Sequence, residues 1–129
     1  MKIAIASSGV TLDSPVDMRF GRCPYFLIVD TNTDKFGAIK NTAGQAFQGA
    51  GISAAQMIAN KKVKAVLAGN FGPKAVNVLN ASGIKIFGVP GISAKKALEQ
   101  YKKGELKEIN ITAASFGMGR GMGMGRGRA

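Results

Sequence analysis

The sequence predicts an α/β fold in which a largely parallel sheet is covered by helices on both faces. Two observations carry that expectation. Short unbroken apolar runs bounded by Gly, Ser and Asn recur at KIAIAS (2–7), AVLAG (65–69) and IKIFGVP (84–90), the pattern of buried strands. In the second half these runs alternate with amphipathic segments. Strand–helix alternation with right-handed crossovers gives parallel strands and gathers the strand-to-helix loops at one edge of the sheet.

The elements follow in order. KIAIAS is closed by Ser8-Gly9, and residues 9–23 are mixed and turn-rich, with Ser14-Pro15 and Gly21. PYFLIVD (24–30) reads as a strand, TNTD (31–34) as a turn and KFGAIKN (35–41) as the returning strand of a hairpin. After Gly49, ISAAQMIANKK places Ile52, Ala55 and Ile58 on one face, which predicts a helix. NFGPKAVNVLNASG follows AVLAG, with Pro73 suited to a first helical turn and Gly83 to the exit. SAKKALEQYKKG follows the last strand, with Ser93 as N-cap and Gly104 as the stop.

Length and composition bound the possibilities. A chain of 129 residues makes one domain, and a 46% apolar content supplies a core. No run approaches the ~18 apolar residues of a membrane helix. MKIAIASSG is too short for the apolar part of a signal peptide and reads as a first strand. The single cysteine forms no internal disulfide, which fits a reducing cytoplasm. Eighteen Lys and Arg against seven Asp and Glu give +11, a balance that favours an anionic partner.

Candidate chemistry sits in loops. The turns GAG (49–51), GNFGP (69–73) and GVPG (88–91) follow strands or open helices. They present backbone N–H groups to an anion, or they are simply tight connections. GAG lacks the third glycine of a dinucleotide fingerprint and does not directly follow a strand. MRFGRCP (18–24) sets the only thiol, Cys23, beside Arg22 and near Arg19. Two readings of Cys23 stay open: a thiol of lowered pKa that ligates metal, or a small buried residue. With no histidine in the chain, imidazole bases and His-ligated zinc are excluded, and one cysteine cannot build a four-thiolate site. Asp13 and Asp17 read as turn residues, which leaves no acid–base pair for an enzyme.

In combination MKIAIAS, RFGRCPYFLIVD, GAGISAAQMI, VKAVLAGNFGPKAVNVL and GIKIFGV resemble the small-domain family of nitrogenase iron–molybdenum cofactor biosynthesis proteins, the NifX type also appended to NifB. The resemblance covers about residues 1–105. It implies a ribonuclease H-like three-layer fold with one antiparallel strand in a five-stranded sheet, and non-catalytic binding of metal–sulfur clusters or their precursors. Carried over by position, the cluster-binding residues are Arg19, Arg22 and Cys23 with Gly49, Gly51, Gly69 and Gly72. Many members have a histidine where this chain has Arg19. Direct imidazole ligation is lost there, and arginine suits an anionic cluster held through its sulfides.

The composition changes after residue 113, dividing the chain into a 1–113 domain and a 114–129 tail. Residues 117–129 comprise six Gly, three Met, three Arg and one Ala, which cannot repay the entropy of ordering and predict a mobile segment. Arg120, Arg126 and Arg128 supply three of the eleven net charges. The tail resembles that of a family member that stores iron–sulfur as thioferrate, a polyanionic iron–sulfide chain bridged by inorganic sulfide. That resemblance implies an iron–sulfur cargo, thioferrate-like or a cluster, and self-association into large assemblies. Two other readings compete. The GRG repeats resemble RNA-binding RGG segments, but no aromatic follows Phe116 to stack on bases, so nucleic acid is the poorer partner. Alternatively, Met118, Met122 and Met124 bind Cu(I) together with Cys23.

Overall fold

The computed structural model describes residues 1–45, 49–89 and 91–109. Its strands are β1 (Lys2–Ser7), β2 (Tyr25–Asp30), β3 (Phe36–Lys40), β4 (Ala65–Ala68), β5 (Lys85–Gly88) and β6 (Lys107–Glu108). Its helices are α1 (Ala50–Asn60), α2 (Pro73–Ala81) and α3 (Ala94–Lys102). The mixed sheet has the order β3-β2-β1-β4-β5-β6. β1, β4 and β5 are parallel neighbours, and β2 runs antiparallel to both β1 and β3.

The expected five strands become six. Among the first five, β2 alone runs against the rest, as anticipated, but β6 adds a second reversed strand by pairing Glu108 with Phe87 and Lys107 with Gly88. Two charged residues carry no strand pattern, so this pairing is imposed by β5 and not by local preference.

β1 is central, and every residue after Lys2 is buried. Strand alternation splits the core into two layers. Ala4, Ala6, Phe26, Val66 and Ile86 face α1 and α2, where they meet Ile58, Val76 and Leu79. Ile3, Ile5, Leu27, Val29 and Leu67 face the other way and pack with Ala94, Ala97 and Leu98 of α3. Helices therefore cover both faces, as the alternation predicted. Ser93 caps α3 by accepting from the Lys96 N–H at 3.2 Å. Gly83 and Gly104 leave α2 and α3 at φ 75° and 72°, the left-handed turn that glycine adopts without penalty. No helix among the described residues is long and apolar enough to cross a membrane.

The chain leaves β1 towards β2 on one side, whereas β4 continues to β5 on the other. In open α/β sheets that divergence opens a crevice outside the strands' carboxyl ends. Here it lies beyond Ser7 and Ala68.

Candidate functional site

The long loop after β1 forms one wall of that crevice, and Asp17 pins it. The Asp17 N–H donates to Ala6 O at 2.9 Å, and its carbonyl accepts from the Gly69 N–H at 3.0 Å. Its buried carboxylate accepts from the Arg19 N–H at 2.8 Å and from Arg19 Nε at 3.3 Å. The loop then runs beside the end of β4, where the Phe20 N–H donates to Asn70 O at 3.1 Å. Asn41, buried at the end of β3, ties down the far side by donating from Nδ2 to Gly21 O (3.1 Å) and Cys23 O (2.8 Å).

The first turns of α1 and α2 make the other walls of an open cleft of about 680 Å³. Arg19 and Arg22 stand on the loop side, with Gly49 and Gly51 at the start of α1 and Gly72 and Lys74 at the start of α2. Both helices begin on glycine: Gly49 caps α1 at φ 73°, and Gly72 caps α2 in extended conformation. Neither end has a side-chain cap hydrogen bond or an acid in its first turn. The leading N–H groups of a helix lack intrahelical acceptors, and the helix dipole makes that end attractive to negative charge. Two such ends in a cleft also lined by Arg19 and Arg22 offer backbone N–H groups and positive charge of the kind that suits an anion. Apolar side chains contribute to the lining as well. Phe20 is buried and stacks at 5.1 Å on half-buried Phe71, with exposed Met18 nearby.

Gly21 sets how closely the walls approach. A Cβ on Gly21 would lie 2.8 Å from the Gly51 N and 2.9 Å from its Cα, so backbone meets backbone across the base of the cleft. Only a residue without a side chain permits that approach. Gly69 lies outside the lining and serves packing: a Cβ there would fall 2.7 Å from Met18 Cα.

Cys23 follows the second of its two readings. It is fully buried beneath the loop, donates from Sγ to Phe20 O at 3.3 Å, and lies outside the cleft lining. Burial, seconded by the Asp17 carboxylate, pushes its pKa from 9.0 up to about 12, the reverse of the lowering expected from neighbouring arginines. Arg22, adjacent in sequence, is exposed while Cys23 points into the core. Of the two open readings of this thiol, the geometry supports the small core residue. Among the described residues no group of three His, Cys, Asp or Glu side chains could hold a metal ion. Arg120, Arg126 and Arg128 lie outside the described residues.

The Cys23 environment predicts a pH dependence. Above pH 9.0 the unfolded chain gives up this proton while the folded chain keeps it until about pH 12. The unfolded state then binds fewer protons, so stability is complete below that window and falls as pH rises through it. Urea unfolding at stepped alkaline pH should show a shallower decline for Cys23→Ala than for the wild type. In the native protein, iodoacetamide should label the thiol only at the rate of opening.

The structure thus brings Arg19, Arg22, Gly49, Gly51 and Gly72 into one cleft and leaves Cys23 and Gly69 out of it. Sequence reading gave Lys74 no role, and Met18 and Phe71 none of their own although MRFGRCP and GNFGP contain them. Lys74 had a usable signal: a cation in a first helical turn opposes the helix dipole, so its presence there needs another reason.

The profile of the family described as dinitrogenase iron-molybdenum cofactor matches residues 1–104. An uncharacterised protein of Methanocaldococcus jannaschii is 33% identical over 111 residues, spanning 84% of this chain and 91% of that protein. Among solved structures, the apo form of the orange protein of Desulfovibrio gigas superposes with a TM-score of 0.81 at 34% identity, covering 84% of this chain and 92% of its own. A Thermotoga protein described as a candidate NifB gives 0.73 at 34% identity, with 83% and 91% coverage.

Proposed function

Because the chain belongs to the dinitrogenase iron–molybdenum cofactor family, we propose that it binds and carries an anionic metal–sulfur species in this cleft, without catalysing a reaction on it. The observation that carries the reading is the donor set. Two uncapped helix N-termini and the Arg19 and Arg22 side chains offer N–H donors, while the one thiol is buried and the chain has no imidazole. Such a site does not fit a cluster that needs thiolates from the protein. It fits cargo that brings its own sulfides and accepts hydrogen bonds at their edges. The apolar lining by Phe20 and Phe71 lowers the local dielectric and strengthens those bonds.

The cargo is iron–sulfide, either a thioferrate-like polymer or an iron–sulfur precursor. The cationic end of the chain gives this reading a second part. Arg120, Arg126 and Arg128, spaced by glycine, engage a polymer at several points, and many copies on one particle hold it multivalently. Storage in large assemblies follows from that.

The test is anaerobic incubation with iron and sulfide followed by gel filtration. Iron and acid-labile sulfide should co-elute with brown protein, and the yield should fall steeply with added salt. A colourless, monomeric product overturns the proposal. Exchanging Arg120, Arg126 and Arg128 for glutamine should leave loading of the cleft intact and shrink the particles seen by light scattering. Undiminished particles would remove the tail from this account.

A further inference from the structure

The sheet has two edges, and they are built differently. β6 is two residues long and both are charged, which blunts it. β3 is five residues long, has no proline, and pairs with β2 in unbroken register from Phe36 to Lys40. The Asp30 N–H donates to Lys35 O at 2.8 Å, and the Asn41 N–H donates to Pro24 O at 2.9 Å. Antiparallel bonding alternates, so Lys35, Gly37, Ile39 and Asn41 turn their backbone groups towards β2. Phe36, Ala38 and Lys40 turn theirs outwards. All three side chains are exposed, Phe36 by 41%.

Gly37 adds an independent observation. Its φ is not positive, and a Cβ there would meet nothing within 4 Å, so packing among the described residues does not call for glycine. Glycine inside a strand weakens it, and it often marks a place where another backbone comes close.

We propose that β3 pairs antiparallel with β3 of a second copy, about a two-fold axis through Ala38. In that register Ala38 faces its own mate, and Phe36 faces Lys40 of the second chain. The outward groups form roughly six backbone hydrogen bonds, and each lysine ammonium lies over the opposite phenyl ring. Lys35 falls opposite Asn41 and Gly37 opposite Ile39, so no lysine meets a lysine. Centring the axis on Lys40 would place two lysines face to face. The pairing is isologous and closes as a dimer with one continuous sheet. So short an edge buries less than the ~1,000 Å² typical of stable interfaces. Each chain also carries +11. The dimer is therefore weak and forms when that charge is screened. This pairing does not rest on the cargo reading, and it needs no metal or sulfide.

Sedimentation of the full-length, cargo-free chain tests it. At roughly 1 M NaCl, where the Debye length is ~3 Å, the wild type should dimerise, and at low salt it should not. Ala38→Pro removes an outward N–H and leaves the β2 ladder intact, so the association constant should drop at least tenfold while circular dichroism is unchanged. Ala38→Val keeps the N–H and should dimerise like the wild type. Phe36→Lys sets lysine against Lys40 of the mate and should weaken pairing at intermediate salt, where the wild type begins to associate and the repulsion is not yet screened. A wild type that stays monomeric at high salt overturns the proposal. So does an Ala38→Pro chain that associates as the wild type does at roughly 1 M NaCl, or a Phe36→Lys chain that does so at intermediate salt. Because no cargo is present, failure here leaves the iron–sulfide reading untouched.

Discussion

Replacing Arg19 and Arg22 together with glutamine is expected to weaken capture of iron–sulfide by about tenfold or more, with the fold intact. Arg19 and Arg22 line the cleft together with the first turns of α1 and α2, which have no acids of their own. Hydrogen bonds from a charged donor to an anion are about twice as strong as neutral ones. Solvent screens part of that here, because the Arg19 side chain is 65% exposed. The fold should survive because the loop is held by backbone: the Asp17 carboxylate keeps the Arg19 N–H, and the Asp17 N–H keeps Ala6 O. Anaerobic titration with iron and sulfide reads the capture, and a thermal melt reads the fold. Lysine at both positions should recover part of the binding, since it restores charge without the planar fork. If the glutamine pair loads as well as the wild type in low salt, the cleft is not the receptor.

Gly21→Ala is expected to destabilise the protein by about 1–3 kcal/mol, the usual range for overpacking, and to abolish loading as well. The added methyl would sit 2.8 Å from Gly51 N, 2.9 Å from Gly51 Cα and 3.2 Å from Ala50 C. All three are main-chain atoms of the first turn of α1, so no rotamer can relieve the contact. Retreat in the other direction is opposed by Asn41, which holds Gly21 O at 3.1 Å, and by Phe20, packed between Phe26 and Phe71. The walls must part, and the geometry of the receptor goes with them. Gly51→Ala is the matched comparison: its methyl would meet only Ala75 Cβ, at 3.6 Å, an ordinary contact. Alanine is also the better residue within a helical turn. Melting temperatures should therefore fall by several degrees for Gly21→Ala and hold or rise for Gly51→Ala. Equal losses in the two would show that the close approach is not what matters.

Much of the architecture was legible because it is written in local pattern. KIAIAS, PYFLIVD and AVLAG became β1, β2 and β4 within a residue or two, and Ser93 capped α3 as its type suggests. What escaped depends on partners distant in sequence. β6 exists because β5 offers an edge. Asn41 closes the cleft loop through carbonyls 18 and 20 residues away, and no spacing rule reveals that. α1 starts at Ala50, inside the GAG turn, because Gly49 takes the left-handed conformation and lets the helix begin at once. The two readings of Cys23 could not be separated in the sequence for a related reason. Adjacency in sequence brought Arg22 beside it, but successive residues entering a strand point to opposite sides, so the charge reached solvent and the thiol reached the core.

The Asp17–Arg19 contact carries a consequence for how cargo leaves. Hydrogen bonding and charge from Asp17 lift the Arg19 pKa further above its already high ordinary value. The chain has no histidine, the side chain whose ordinary charge change falls between mild acidity and neutrality. If the cleft holds an anionic cargo as proposed, acidification over that range finds no imidazole on the protein to act on. On that reading, unloading is expected to come from the guest itself, through a change in its oxidation state or its dissolution, or from a rival anion that outcompetes it.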